Sequence, residues 1–207
     1  DSPPEIILLD DAFQHRKVSP GLSILLTAYD DLYCDDVVLP SGGLREQRSG
    51  AQRAQIIVVT KCPVDVTEQE KENIRKRLAL SVGQQLFFSS VVYDNNIYSL
   101  TEIKALKSVV EHKKYTLVSG IANAVPLVQY LESLGHKFEH LEYADHHEFS
   151  TQELNKISSK SLVLTTEKDF SRLKILNHDA LYYLPITTKI DDQDRFEDLV
   201  KAYIDMP

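Results

Sequence analysis

A run of apolar residues with no polar alternation, closed abruptly by carboxylates, constrains this chain more than any other feature. In Ile6-Ile7-Leu8-Leu9-Asp10-Asp11 the apolar side chains follow one another without a break. That pattern reads as a strand buried on both faces of a parallel sheet. In open α/β sheets ligands sit outside the carboxyl ends of the strands. Asp10 and Asp11 are therefore expected to face a cleft, with Gln14, His15 and Arg16 close behind. Hard carboxylate oxygens beside phosphate are how nucleotide-hydrolysing folds hold Mg²⁺, although two Asp would equally serve an ordinary polar turn.

The same grammar recurs along the chain. Apolar, β-branched stretches at 22–27, 56–59, 115–119, 138–143, 161–165 and 180–186 each read as a strand. Thr67-x-x-Glu70 and Ser150-x-x-Glu153 are capping boxes that open helices, the first running to about residue 80. Another helix has Pro126 in its first turn, Leu127, Leu131 and Leu134 on one face, and Gly135 as its stop. A short helix to Leu173 and a closing helix over 195–204, with Phe196, Leu199, Val200 and Tyr203 inward, complete the set. Strands alternating with helices predict a three-layer α/β architecture. Residues 86–92 and 96–100 flank Tyr93-Asp94-Asn95 as a hairpin would. The expected division is a first domain over 1–92, a linker hairpin and helix over 93–112, and a smaller α/β domain over 113–207.

Composition narrows the function. With 207 residues and 43% hydrophobic content the chain buries a core, and a formal net charge of −8 argues against nonspecific nucleic-acid binding. Cys34 and Cys62 form no C-x-x-C pattern or disulfide framework, which fits a reducing, cytoplasmic setting. No apolar run approaches the roughly 18 residues of a membrane span. The chain opens without Met and enters its first strand within five residues, so further residues are expected before Asp1.

Polar chemistry gathers where strands are expected to end: Asp10-Asp11, Thr60-Lys61, Gly120-Ile121-Ala122-Asn123, Asp145-His146 and Thr166-Glu167-Lys168-Asp169. Between the first two lies Gly42-Gly43-Leu44-Arg45-Glu46, a tight turn with an adjacent cation and anion. Arg grips phosphate bidentately and Glu can complete a metal shell, while a surface ion pair would look the same. Acids, cations, His and Thr are the inventory of phosphoryl transfer, where catalysis is mostly positioning and charge neutralisation.

Six of these pieces, in order, resemble the tetraacyldisaccharide 4′-kinases of lipid A biosynthesis. They are Asp10-Asp11-Ala12-Phe13-Gln14-His15-Arg16, Gly43-Leu44-Arg45-Glu46, Arg53-Ala54 with Thr60-Lys61, Gly120-Ile121-Ala122-Asn123, Asp145-His146, and Thr166-Glu167-Lys168-Asp169. The resemblance implies a P-loop nucleoside triphosphatase-like sheet, incomplete here, followed by a smaller α/β domain. It also implies an enzyme at the cytoplasmic face of the bacterial inner membrane that moves the γ-phosphate of ATP to the 4′-hydroxyl of a tetraacyldisaccharide 1-phosphate, a lipid A precursor. By resemblance, Asp10 and Asp11 match acids near Mg²⁺, Gln14 and His15 complete that motif, and Thr60 and Lys61 are expected on the nucleotide side. Arg45 and Glu46 match a charged loop at the phosphates and metal. His146, beside Asp145, matches the histidine that assists the catalytic base.

The chain departs from the family pattern at Ala12, where Gly is usual, and at Gln47, where Pro is usual. G-x-x-x-x-G-K-[ST] is absent, since none of the seven glycines precedes a Lys. The family's catalytic Asp and its membrane-associating segment are expected before Asp1. Two other readings compete. Asp145-His146-His147, with Asp10 and Asp11, would suit a DHH-type phosphoesterase and predicts Mn²⁺-dependent phosphodiester cleavage; a non-catalytic binding module predicts no nucleotide affinity at all. On the kinase reading these 207 residues alone have no transferase activity. ATP-dependent phosphorylation of the disaccharide lipid by this piece would overturn that expectation.

Overall fold

A computed structural model of the chain describes residues 4–107 and 114–205. They divide into two compact units, 1–92 with 188–207, and 93–187. In the first unit the sheet runs in the order β1 (Ile24–Ala28), β2 (Ile56–Cys62), β3 (Gln85–Tyr93) and β10 (Ile186–Ile190), with β1, β2 and β3 parallel. Alternation along β2 decides which layer covers which face. Ile57 and Val59 pack against Ile74 and Leu78 of α1 (Glu68–Leu78), whereas Ile56 and Val58 meet Phe196, Leu199 and Val200 of α5 (Gln193–Ile204). The predicted three layers are present here. The Thr67 hydroxyl accepts from the Glu70 amide and the Glu70 carboxylate accepts from the Thr67 amide at 2.8 Å, so the capping box starts α1 where expected.

The second unit holds a six-stranded sheet in the order β5-β4-β9-β8-β6-β7. Its strands are β4 (Asn96–Tyr98), β5 (Ile103–Ala105), β6 (Tyr115–Ser119), β7 (Phe138–Glu142), β8 (Val163–Thr166) and β9 (Leu181–Leu184). Every residue of β6 is buried, and β7 and β8 flank it in parallel. One face carries Leu127 and Leu131 of α2 (Val125–Ser133) against Leu117 and Leu164. The other buries Ile157 of α3 (Thr151–Ser158) and Phe170 and Leu173 of α4 (Glu167–Leu173) against Val118 and Val163.

Three expectations are corrected. Residues 6–9 are not a strand: Ile7 and Leu8 are 72% and 91% exposed, because an apolar run becomes a strand only where a neighbouring edge takes its backbone groups, and no described strand pairs with it. The hairpin across 93–95 does not form either. β4 pairs with β5 and β9 instead of β3, with Ile97 sunk in the second core and the Asp94 side chain accepting from the Asn96 amide to turn the chain. Residues 93–107 thus contribute strands to the second unit instead of forming a linker, the remainder of that linker at 108–112 lying outside the described residues. Finally, the chain after 187 returns to the first unit, because the apolar face of α5 is the cover that Ile56, Val58 and Phe87 require.

Burial sets the energetic scale. Leu117→Ala, at 0% exposure, is expected to cost about 2–5 kcal/mol, while Val82→Ala, fully in solvent, is expected to change stability by less than about 0.5 kcal/mol. Urea unfolding of both variants checks the contrast.

Candidate functional site

In the first unit one ion pair ties the Glu46 loop to the segment at Phe13. Arg53, at the end of the 3₁₀ helix Arg48–Arg53, sets its fork on Glu46 at 2.6 and 3.0 Å and donates to the Phe13 carbonyl at 3.2 Å. Its guanidinium also lies 4.7 Å from the centroid of the Phe13 ring. The segment that carries Asp10 to His15 is therefore anchored at Phe13. Gly50 lets the pair close, since a Cβ there would lie 2.6 Å from the Glu46 carboxyl carbon. Arg53 holds the Glu46 carboxyl below its ordinary range, with a smaller contribution from Arg16 at 4.0 Å. Around them opens a cavity of about 470 Å³, lined in part by Arg16, Glu46, Gly50 and Arg53.

Asp10, Asp11, Gln14, His15, Arg45 and Lys61 are exposed, and among the described residues no side-chain hydrogen bond or ion pair engages them. Thr60 donates to the Thr27 carbonyl at 3.3 Å. At the end of β2 the pairing with β3 gains an extra residue between Val59 and Cys62, and Lys61 adopts φ 58°. This bulge re-aims the lysine. Asp11 has φ 47° and His146 φ 59°. The other non-glycine residues with positive φ among those described, Ala79 and Asn177, cap helices. Asp11 stands in the loop after the 6–9 run, Lys61 at the bulge near the end of β2 and His146 in the loop after β7, the kind of place where strained backbone marks function.

In the second unit β6, β7 and β8 point their carboxyl ends the same way, gathering Gly120, Asp145 and Thr166 at one sheet edge. Lys168 donates to Asp145 at 2.7 Å and lies 3.4 Å from His146 Nε2. Asp145 in turn accepts from the His146 amide at 3.0 Å, and the lysine hydrogen bond is the largest cause of its lowered carboxyl pKa. The structure thus joins Asp145 and His146 as expected and adds Lys168, which sequence reasoning placed in a strand-end motif without a role. Arg53 likewise stands in one of the motif pieces, Arg53-Ala54, without a role there, and its grip on Glu46 shows only in the fold.

Of the expected metal set, Asp10, Asp11 and Glu46, one member has a protein partner. Asp10 and Asp11 offer the hard oxygens Mg²⁺ takes, but Glu46 is engaged at both oxygens by Arg53, and among the described residues no group of three or more His, Cys, Asp or Glu could hold an ion. The acid and the second histidine of the competing DHH reading also have protein partners. Asp145 is taken by Lys168, while His147 sits 3.1 Å from Glu153 and stacks on Tyr143 at 4.8 Å.

Two three-layer α/β units with charged strand ends define the class. The particular family follows from comparison. A family model described as tetraacyldisaccharide-1-P 4′-kinase (LpxK) matches residues 1–205. The tetraacyldisaccharide 4′-kinase of Flavobacterium johnsoniae is 47% identical over 206 residues, covering 97% of this chain and 60% of the relative. That of Bacteroides thetaiotaomicron is 40% identical, covering 97% and 59%. A solved structure described as the "apo" form of LpxK from Aquifex aeolicus in complex with ATP superposes with a TM-score of 0.68 at 24% identity, covering 94% of this chain and 56% of that one; this likeness shows the fold. The chain belongs to the tetraacyldisaccharide 4′-kinase family, and it spans about 60% of the length of the curated relatives it matches.

Glu153 gives a pH test of the second unit. Hydrogen bonds from the Ser150 hydroxyl and amide, with a smaller contribution from His147, bring its carboxyl from 4.5 down to about 2. A folded-state pKa below the unfolded value means that this stabilisation is complete above about pH 4.5 and is lost as pH falls toward 2. Glu153→Gln keeps the capping geometry without the titration, so its thermal stability is expected to fall less than wild type's across that window.

Proposed function

We propose that the whole protein transfers the γ-phosphate of ATP to the 4′-hydroxyl of a tetraacyldisaccharide 1-phosphate. The observation that carries this reading is family membership across nearly the full chain, joined to charged, strained strand ends of the right chemistry. In the transfer the hydroxyl oxygen bonds to the γ-phosphorus, the bond to the β-phosphate oxygen breaks, and the hydroxyl proton passes to a base. His146, held with Asp145, assists that base. Arg45 and Lys61, exposed cations with no side-chain partner among the described residues, neutralise phosphate charge. Gln14, His15 and Thr60 line the nucleotide side. Mg²⁺, when bound, would neutralise phosphate charge beside Asp10 and Asp11, with Glu46 positioning Arg53 and Phe13 and not serving as a ligand.

The exposed 6–9 run fits a strand whose neighbours lie in the part of the relatives' length that this chain does not span, where the P-loop and the base belong. No helix among the described residues is long and apolar enough to cross a membrane. Action at the cytoplasmic face of the inner membrane, with attachment through a segment outside this chain, is part of the proposal.

The test is ATP-dependent 4′-phosphorylation by the full-length protein, wild type beside Asp11→Ala and His146→Ala. Each variant is expected to lose about 10²-fold or more in kcat while staying folded. Undiminished transfer in both variants, or none by folded wild type, sinks the reading.

A further inference from the structure

The start of α4 carries a side chain that the reaction above leaves without a task. Asp169 is completely buried, and a carboxylate out of water persists only where partners satisfy it. Its Oδ2 accepts from the Gly120 amide at 2.8 Å and from the Thr166 hydroxyl at 2.7 Å, and its Oδ1 accepts from Arg172. The guanidinium reaches further. Nη1 donates to the His147 carbonyl at 2.7 Å and Nη2 to the Gly120 carbonyl at 3.3 Å, with the Phe149 ring centroid 5.6 Å away. Gly120 completes the junction, because a Cβ there would meet Asp169 Oδ1 at 3.0 Å, Arg172 Nη2 at 3.2 Å and the Ala144 carbonyl at 3.4 Å. Loops after three parallel strands therefore converge on one ion pair, its carboxylate buried and its guanidinium half-buried.

One of those loops holds His146 in the left-handed region, a conformation that a side chain with a Cβ keeps only when its surroundings over-determine it. On the near side Asp145 caps the His146 amide, and the His147 amide donates to the Ala144 carbonyl at 3.1 Å. Those contacts lie within the loop itself. The tie from the loop to a rigid element through backbone is the Arg172 bond to the His147 carbonyl, and Arg172 is oriented by Asp169.

We propose that Asp169 and Arg172 are positioning residues: the pair latches the 144–147 loop to α4 and β6 and so fixes where Asp145 and His146 stand, without touching substrate. The catalytic half of this statement rests on the kinase reading; the latch itself does not.

Both halves are tested on the full-length protein. Asp169→Asn is expected to raise amide hydrogen exchange about tenfold at 120–123 and 144–147, with the rest of the second unit still protected. It should lower kcat about 10²-fold and leave the KM for ATP within about twofold. In a His146→Ala background the same change should lower kcat by less than about threefold further, since the two act as one unit. Unchanged exchange at 144–147, or losses that multiply in the double variant, overturns the proposal. Should Asp169→Asn fail to fold, Arg172→Lys keeps the charge opposite Asp169 but shortens the reach to His147. It is then expected to loosen 144–147 alone, and unaltered exchange there overturns the latch. No transfer by wild type would sink the kinase reading and leave the exchange measurement to decide the latch.

Discussion

Parallel pairing of fully buried strands is the constraint on which the rest of this molecule depends. β6 is buried at every position and flanked by two parallel neighbours, and β2 is covered on alternate residues by α1 and α5. Such strands have no solvent face on which to carry polar side chains. Chemistry is therefore confined to the loops where strands end, and parallel pairing puts the ends of neighbouring strands on the same side. Asp145, Thr166 and Gly120 come together in the second unit for that reason.

Loops at strand ends lack the ladder hydrogen bonds that hold the strands, so something else must fix them. In each unit an arginine does so by gripping a carboxylate and a backbone carbonyl at once. Arg53 ties Glu46 to Phe13, and Arg172 ties Asp169 to His147. The planar guanidinium suits this task because its donors diverge at fixed angles. Each grip also relies on a glycine beside it, Gly50 in one case and Gly120 in the other.

Much of this was legible in residue order. The capping boxes at Thr67 and Ser150 start α1 and α3 as read, and Gly135, with φ 80°, follows α2 as its stop. These signals act within a few residues and survive any tertiary context. The pairing of Asp145 with His146 was equally visible, since the two are adjacent. What escaped were partners far apart in sequence. Glu46 looked like a metal ligand because its oxygens are the right kind, and only the fold shows Arg53 closing on both of them. The role of Lys168 depends on β7 and β8 delivering their loops to the same edge.

The residue order by itself settled the class of fold, most strand and helix positions, and which loops carry charge, because apolar periodicity and caps are local properties of the chain. Tertiary structure decided the rest. It sent β4 into the second sheet, returned α5 to cover the first, left the 6–9 run in solvent, set Arg53 on Glu46 and buried Asp169 against Arg172. The physical reason is common to all of these: whether a strand is paired or a carboxylate is free depends on which distant group reaches it first, and that is settled only when the sheets assemble.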